Sequence, residues 1–157
     1  MCRHCDYEKM LCDAGLSPTP NRVHVLEAIG NDNRPLSPRD ILAILRRQGP
    51  INRVTVYRIL DILVENGLVD RLSAGERRFF YGLAPNPNHP SHPHFHCRQC
   101  GQLECIHAGG LQLEVADLMP TFAGRIERVE VRLDGLCQQC LLKNTETGAK
   151  IKGGAGV

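Results

Sequence analysis

Arg53-Val54-Thr55-Val56-Tyr57-Arg58-Ile59-Leu60-Asp61-Ile62-Leu63-Val64-Glu65-Asn66-Gly67 is the stretch on which the fold turns. Val56, Ile59, Leu60 and Leu63 recur at i, i+3, i+4 and i+7, the spacing that lines one face of an α-helix with apolar side chains. Thr55, Arg58, Asp61, Ile62 and Glu65 are left outward, Tyr57 lies at the margin, and Gly67 closes the helix. Upstream, Thr19-Pro20 and Ser37-Pro38-Arg39-Asp40 are helix starts: a hydroxyl N-cap, then proline at the first helical position. Asp40 is also placed for a capping box. These signals predict helices over 21–29 and from Ser37 to the Gly49-Pro50 break, and a shorter helical pattern covers 7–16. Downstream, Leu68-Val-Asp70-Arg-Leu72 and Arg77-Arg-Phe-Phe-Tyr81 flank a glycine turn and read as a β-hairpin. Three helices followed by a hairpin predict a winged helix-turn-helix, whose last helix usually enters the major groove of DNA. Helical bundles with hairpins also serve as protein-binding or purely structural units, and pattern alone leaves both open.

The second half is organised by cysteine. Cys97-x₂-Cys100 and Cys137-x₂-Cys140 each put two thiols on one tight turn. Together they supply the four-sulfur set that structural zinc prefers. Such a metal stabilises small domains by roughly 10–16 kcal/mol, which a C-terminal unit over 96–142 needs, being too small to be secure alone. Just upstream, His89, His92, His94 and His96 bring four imidazoles into eight residues, the means to bind a second late transition metal. The predicted layout is α+β: a winged-helix unit over 1–84, a linker rich in Pro, Asn and His over 85–95, the zinc-stabilised unit over 96–142, and a disordered tail over 143–157. Within the third unit, strands are expected at 102–106 and 125–133, with a helix near 111–118.

Composition bounds the function. The chain has 157 residues, a formal charge of +2, 42% apolar residues and only 4% aromatic ones without tryptophan. No stacking platform for single strands or RNA stands out, and so small a positive excess would not by itself argue for nucleic acid. The N-terminus lacks an apolar leader and no run approaches a membrane span, so a reducing cytoplasm is expected, where paired cysteines read as metal ligands.

Thr55-Val56-Tyr57-Arg58-Ile59-Leu60 resembles the T-V-Y-R-x-L signature of the ferric uptake regulator family. Thr19-x-x-Arg22 resembles that family's T-x-x-R. His92-x-His94-x-x-Cys97-x-x-Cys100-Gly101 is similar to its H-x-H-x-x-C-x-x-C-G block, and Cys137-x-x-Cys140 to its closing pair. The resemblance covers residues 7 to 141. It implies a dimeric, metal-dependent repressor that binds palindromic double-stranded DNA, with no membrane or small-molecule substrate as partner.

The resemblance also implies sites. His92 and His94 match the family's sensor histidines, Asp70 matches an acidic ligand at the start of the wing, and Cys105 stands where the family often has an acid. With Cys105 these residues would form a regulatory site of two nitrogens, an oxygen and a sulfur, favouring zinc over ferrous iron on softness grounds. His89 is an alternative fourth ligand, and a small buried thiol is the alternative reading of Cys105. Tyr57 and Arg58 match recognition-helix residues, with Arg53, Thr55, Arg77 and Arg78 as backbone contacts. Two departures weaken iron or peroxide sensing: no histidine lies near Arg34-Pro35, and Tyr81-Gly82 replaces an acid at the end of the wing. A further family metal site, at positions matching Ser91, Pro93 and Val129, is missing. The N-terminal Cys2, His4, Cys5 and Cys12 fall outside the pattern. The reading is therefore a zinc-responsive repressor. Its rivals are an iron- or redox-responsive member of the same family, or a zinc-ribbon interaction module without DNA. An enzyme is not expected, because the quartet is spent on closing one site.

Overall fold

The computed structural model describes residues 5–74, 78–106, 122–126 and 129–151. The predicted helix near 111–118 and Arg77 lie outside them, as do Cys2 and His4. Four helices come first: α1 (Tyr7–Asp13), α2 (Pro20–Gly30), α3 (Pro38–Arg46) and α4 (Arg53–Glu65). The hairpin β1 (Val69–Ser73) and β2 (Phe79–Leu83) follows, antiparallel, with Asp70 opposite Gly82. Leu36 and Tyr81 exchange backbone hydrogen bonds of 2.9 and 2.8 Å, which sews the segment before α3 to the hairpin.

Local chemistry accounts for these boundaries. The Ser37 hydroxyl accepts from Asp40 N–H and the Asp40 carboxylate accepts from Ser37 N–H, a complete capping box. Thr19 occupies the N-cap position of α2 but makes no side-chain cap bond, so Pro20 at the first turn carries that start. Asn52 caps α4 by accepting from Val54 N–H, a cap the sequence reading passed over. At the other end Gly67 takes φ +67°. Leu68 N–H reaches Leu63 O and Gly67 N–H reaches Val64 O at 2.9 and 3.0 Å, a Schellman ending. Gly30 has a packing reason: the Tyr7 ring of α1 fills the space a side chain there would need.

The core of this half is the predicted stripe of Val56, Ile59, Leu60 and Leu63 closed against Leu11, Val25, Leu26, Leu36, Ile41 and Leu45. A second, smaller cluster gathers Cys97, Cys137 and Cys140 with Phe95 and Leu136. Among the described residues it sits on a three-stranded sheet of order β4-β3-β5, where β3 is His94–Cys97, β4 is Leu103–Cys105 and β5 is Arg132–Gly135. β3 pairs antiparallel with β4 and parallel with β5.

Three expectations are corrected. The strand expected over 125–133 forms later, as β5, because its partner is fixed by the His94-to-Cys97 ladder rather than by its own alternation. His94 belongs to that ladder and not to the linker. The tail is helical through Ile151, since α5 (Gln138–Ile151) starts on the second cysteine pair and propagates from that anchored first turn.

Candidate metal centres

Among the described residues, two groups of ligating side chains converge, each with its ligand atoms within 4.8 Å of one another. The first is the quartet Cys97, Cys100, Cys137 and Cys140. Cys97 ends β3, and the chain turns back at Gly101 with φ +72°, its N–H bonded to Cys97 O at 2.8 Å. The turn before α5 brings Cys137 alongside, and its N–H points at Cys97 Sγ at 3.3 Å. Cys100 Sγ and Cys137 Sγ are 3.8 Å apart. Zinc–sulfur bonds of about 2.3 Å in a tetrahedron require sulfurs about 3.8 Å apart, so the cradle fits the ion. Backbone N–H groups of Cys100 and Cys137 lower the Cys97 thiol to about 6, whereas burial and the neighbouring sulfurs push Cys140 up to about 12. Four such thiols cannot all ionise beside one another without a cation. A bound zinc would supply that charge and hold all four as thiolates.

The second group is His92, His94 and Cys105, all half-buried. His94 and Cys105 are direct partners across β3 and β4, which sets their side chains on one face. His92 lies two residues upstream on the same extended chain, its ring 4.9 Å from that of His94. His92 Nδ1 is 3.0 Å from Pro90 O. A carbonyl only accepts, so Nδ1 carries the proton and the buried Nε2 carries the lone pair a metal needs. Burial raises the Cys105 thiol to about 11. Asp70 of β1 is half-buried and lines the same cavity, together with His89 and Asp32. It is not within the 4.8 Å set. His89 stands beside the group, its ring edge-on to His92 at 4.9 Å. Mutual bonds of 2.9 Å between the Asn86 and His89 backbones fix its turn. The structure thus brings together three of the four expected regulatory ligands, with Asp70 and His89 lining the same cavity outside that set.

On α4, Arg53, Tyr57 and Arg58 are exposed, and the Arg53 guanidinium stacks 5.3 Å from the Tyr57 ring centre. Thr55 is half-buried. Arg78 is exposed at the base of β2.

A residue that motif reading missed altogether is Asp134. It accepts from His96 Nδ1 at 2.8 Å and from Arg132 Nε at 3.2 Å. Only the parallel register of β3 and β5, which sets His96 beside Asp134, could have revealed it.

The sequence pattern of the Ferric uptake regulator family matches residues 13–122. The zinc uptake regulation protein of Escherichia coli K12 is 30% identical over 139 residues, covering 85% of this chain and 78% of that protein. A solved zinc uptake regulator in complex with zinc and DNA superposes with a TM-score of 0.58 at 28% identity, covering 88% of this chain and 92% of that one. The Vibrio cholerae ferric uptake regulator shares the fold, with a TM-score of 0.67 at 21% identity over 84% of this chain and 100% of its own. Among the described residues no helix is long and apolar enough to cross a membrane. The chain belongs to the ferric uptake regulator family, and is thereby a metal-dependent DNA-binding transcription regulator and not an enzyme.

Proposed function

We propose that this chain is a zinc-responsive repressor of metal-homeostasis genes, acting in the cytoplasm as a homodimer on a palindromic operator. The observation that carries the reading is the meeting of two imidazoles and a thiol at His92, His94 and Cys105. Zinc–nitrogen bonds near 2.0–2.1 Å and a zinc–sulfur bond near 2.3 Å ask for ligand separations of roughly 3.3–3.6 Å. Side-chain rotation from the observed spread reaches that. A thiolate in place of a carboxylate selects zinc over ferrous iron. Asp70 supplies the fourth ligand and brings the wing with it. The quartet holds the structural zinc.

Exposed Leu133, Leu141 and Leu142, at 46%, 50% and 57%, form the apolar surface for a second copy. In the dimer, α4 of each protomer enters the major groove: Arg58 reads a base or phosphate, Tyr57 a thymine methyl or phosphate, and Arg53, Thr55 and Arg77 hold the backbone. Metal fixes the two helices at operator spacing by favouring one arrangement of wing and sheet.

Selection from random-sequence DNA duplexes, with the protein loaded with zinc or ferrous iron or stripped by a mild chelator, tests this. Enrichment of one palindrome with zinc alone is expected. Enrichment with ferrous iron but not zinc, or control by oxidant alone, would replace zinc as the signal. No enrichment under any condition would refute operator binding.

A further inference from the structure

Ser73 and Arg78, which flank the turn of the wing hairpin, both lie against the half that carries the cysteine quartet. β1 ends at Ser73 and β2 begins after Arg78, with Ala74 N–H bonded to Arg78 O at 3.0 Å. On one side, Arg132 of β5 donates from Nη1 to Ser73 O at 2.7 Å. The same guanidinium donates from Nε to Asp134, and Asp134 accepts from His96 of β3. The bond from His96, then that from Arg132, holds the Asp134 carboxyl below the usual carboxylate range, so it is an anion that fixes both donors. On the other side Arg78 reaches back over the cysteine turn. A Cβ on Gly101 would stand 2.6 Å from Arg78 Nη1, so the exposed end of that side chain lies against the turn.

This clasp lies between the two ligand groups. β3 carries His94 at one end and Cys97 at the other, with the clasp's His96 between them. β1 carries Asp70 three positions before Ser73. We infer that Arg132 is a positioning residue for the regulatory metal site: by tying Ser73 to the β3–β5 sheet it keeps Asp70 in the wall of the cavity that His92, His94 and Cys105 also line, and joins metal occupancy to the wing. The inference rests on the reading of that group as the regulatory site. His92, His94 and Cys105 converge, and Asp70 lines the same cavity, in the arrangement in which the clasp is closed, so linkage makes metal binding and clasp closure favour each other. Opening the clasp must weaken the metal, and removing the metal must loosen the wing.

The full chain is tested as Arg132→Ala and Arg132→Lys, each holding its quartet zinc. Second-zinc affinity is read by competition with a chromophoric chelator, and amide exchange is followed over residues 69–74. Arg132→Ala is expected to keep one tightly held zinc, to weaken the second on the order of tenfold, about 1.4 kcal/mol, and to speed exchange at the hairpin. Arg132→Lys is expected to recover part of the affinity, because an ammonium reaches Ser73 O but cannot fork onto Asp134. Unchanged second-zinc affinity in Arg132→Ala would overturn the positioning role. If the parent chain takes no second zinc, the regulatory reading itself fails, and the clasp then stands or falls on exchange at 69–74 alone.

Discussion

In the cysteine quartet, all four sulfurs come from two turns that abut within one small sheet-and-helix unit, and backbone amides already point at Cys97. In the His92, His94 and Cys105 group, two ligands face each other across β3 and β4, a third sits on the segment leading into β3, and the prospective fourth, Asp70, belongs to the wing. One cradle is closed by local chain geometry. The other, on the proposed reading with Asp70 as fourth ligand, would be complete only when two parts of the molecule adopt one arrangement. A metal held by the first contributes folding energy and little else. On the proposed reading, a metal held by the second would report on, and bias, the position of the wing. The contrast in donors fits this division: four thiolates make a tight and slowly exchanging site, whereas a site with imidazoles and one half-buried, protonated thiol must shed a proton to bind and can exchange.

The contrast is broken most severely at the quartet. Cys97→Ser or Cys140→Ser should abolish the tightly held zinc and with it the folded C-terminal unit and the dimer, as read by metal content and sizing. A metal-free variant that still runs as a dimer would show that the quartet is dispensable. His94→Ala should leave the quartet zinc in place and weaken the second metal by more than the roughly 10–100-fold that outer-shell changes cause. Zinc-dependent DNA retention should fall with it.

Two smaller effects sharpen the picture. The Cys105 thiol, raised to about 11, is protonated in the metal-free protein at neutral pH and a thiolate when metal is bound. Binding therefore releases its proton, and second-site affinity should rise with pH, about tenfold per unit for that proton. Cys105→Ser should flatten this slope, and an undiminished slope would remove Cys105 from the ligand set. On the DNA side, Arg58→Ala should weaken binding to the selected duplex by about 1–3 kcal/mol at fixed salt. Arg53→Ala should instead lower the salt slope by about one, as a phosphate contact does.

What was legible in the sequence follows the same division between local and non-local. The capping box at Ser37, the stripe on α4, the Gly67 ending and both C-x₂-C turns are set by residues within a few positions of one another, and all are present. The strand expected over 125–133 was misplaced because Ile126, Val129, Val131 and Leu133 alternate as a half-wet strand does, while the actual partner of β3 is Arg132–Gly135. Arg132 and Asp134 of that strand belong to no motif. They are the clasp to His96 and Ser73, which only cross-strand register reveals. Cys105 entered the site by resemblance, and its pairing with His94 supplies the physical reason. The helix past residue 142 was unreadable because its Thr- and Gly-containing sequence is a weak helix former and depends on an anchored start.

The most direct test of a closed structural site beside an exchangeable regulatory one is zinc per protomer, by native mass spectrometry, across a chelator series. Two zincs are expected, one lost early together with binding to the selected duplex and regained with it, while the other persists until the fold is lost. A single zinc throughout, with DNA binding unaffected by its neighbours in the series, would contradict it.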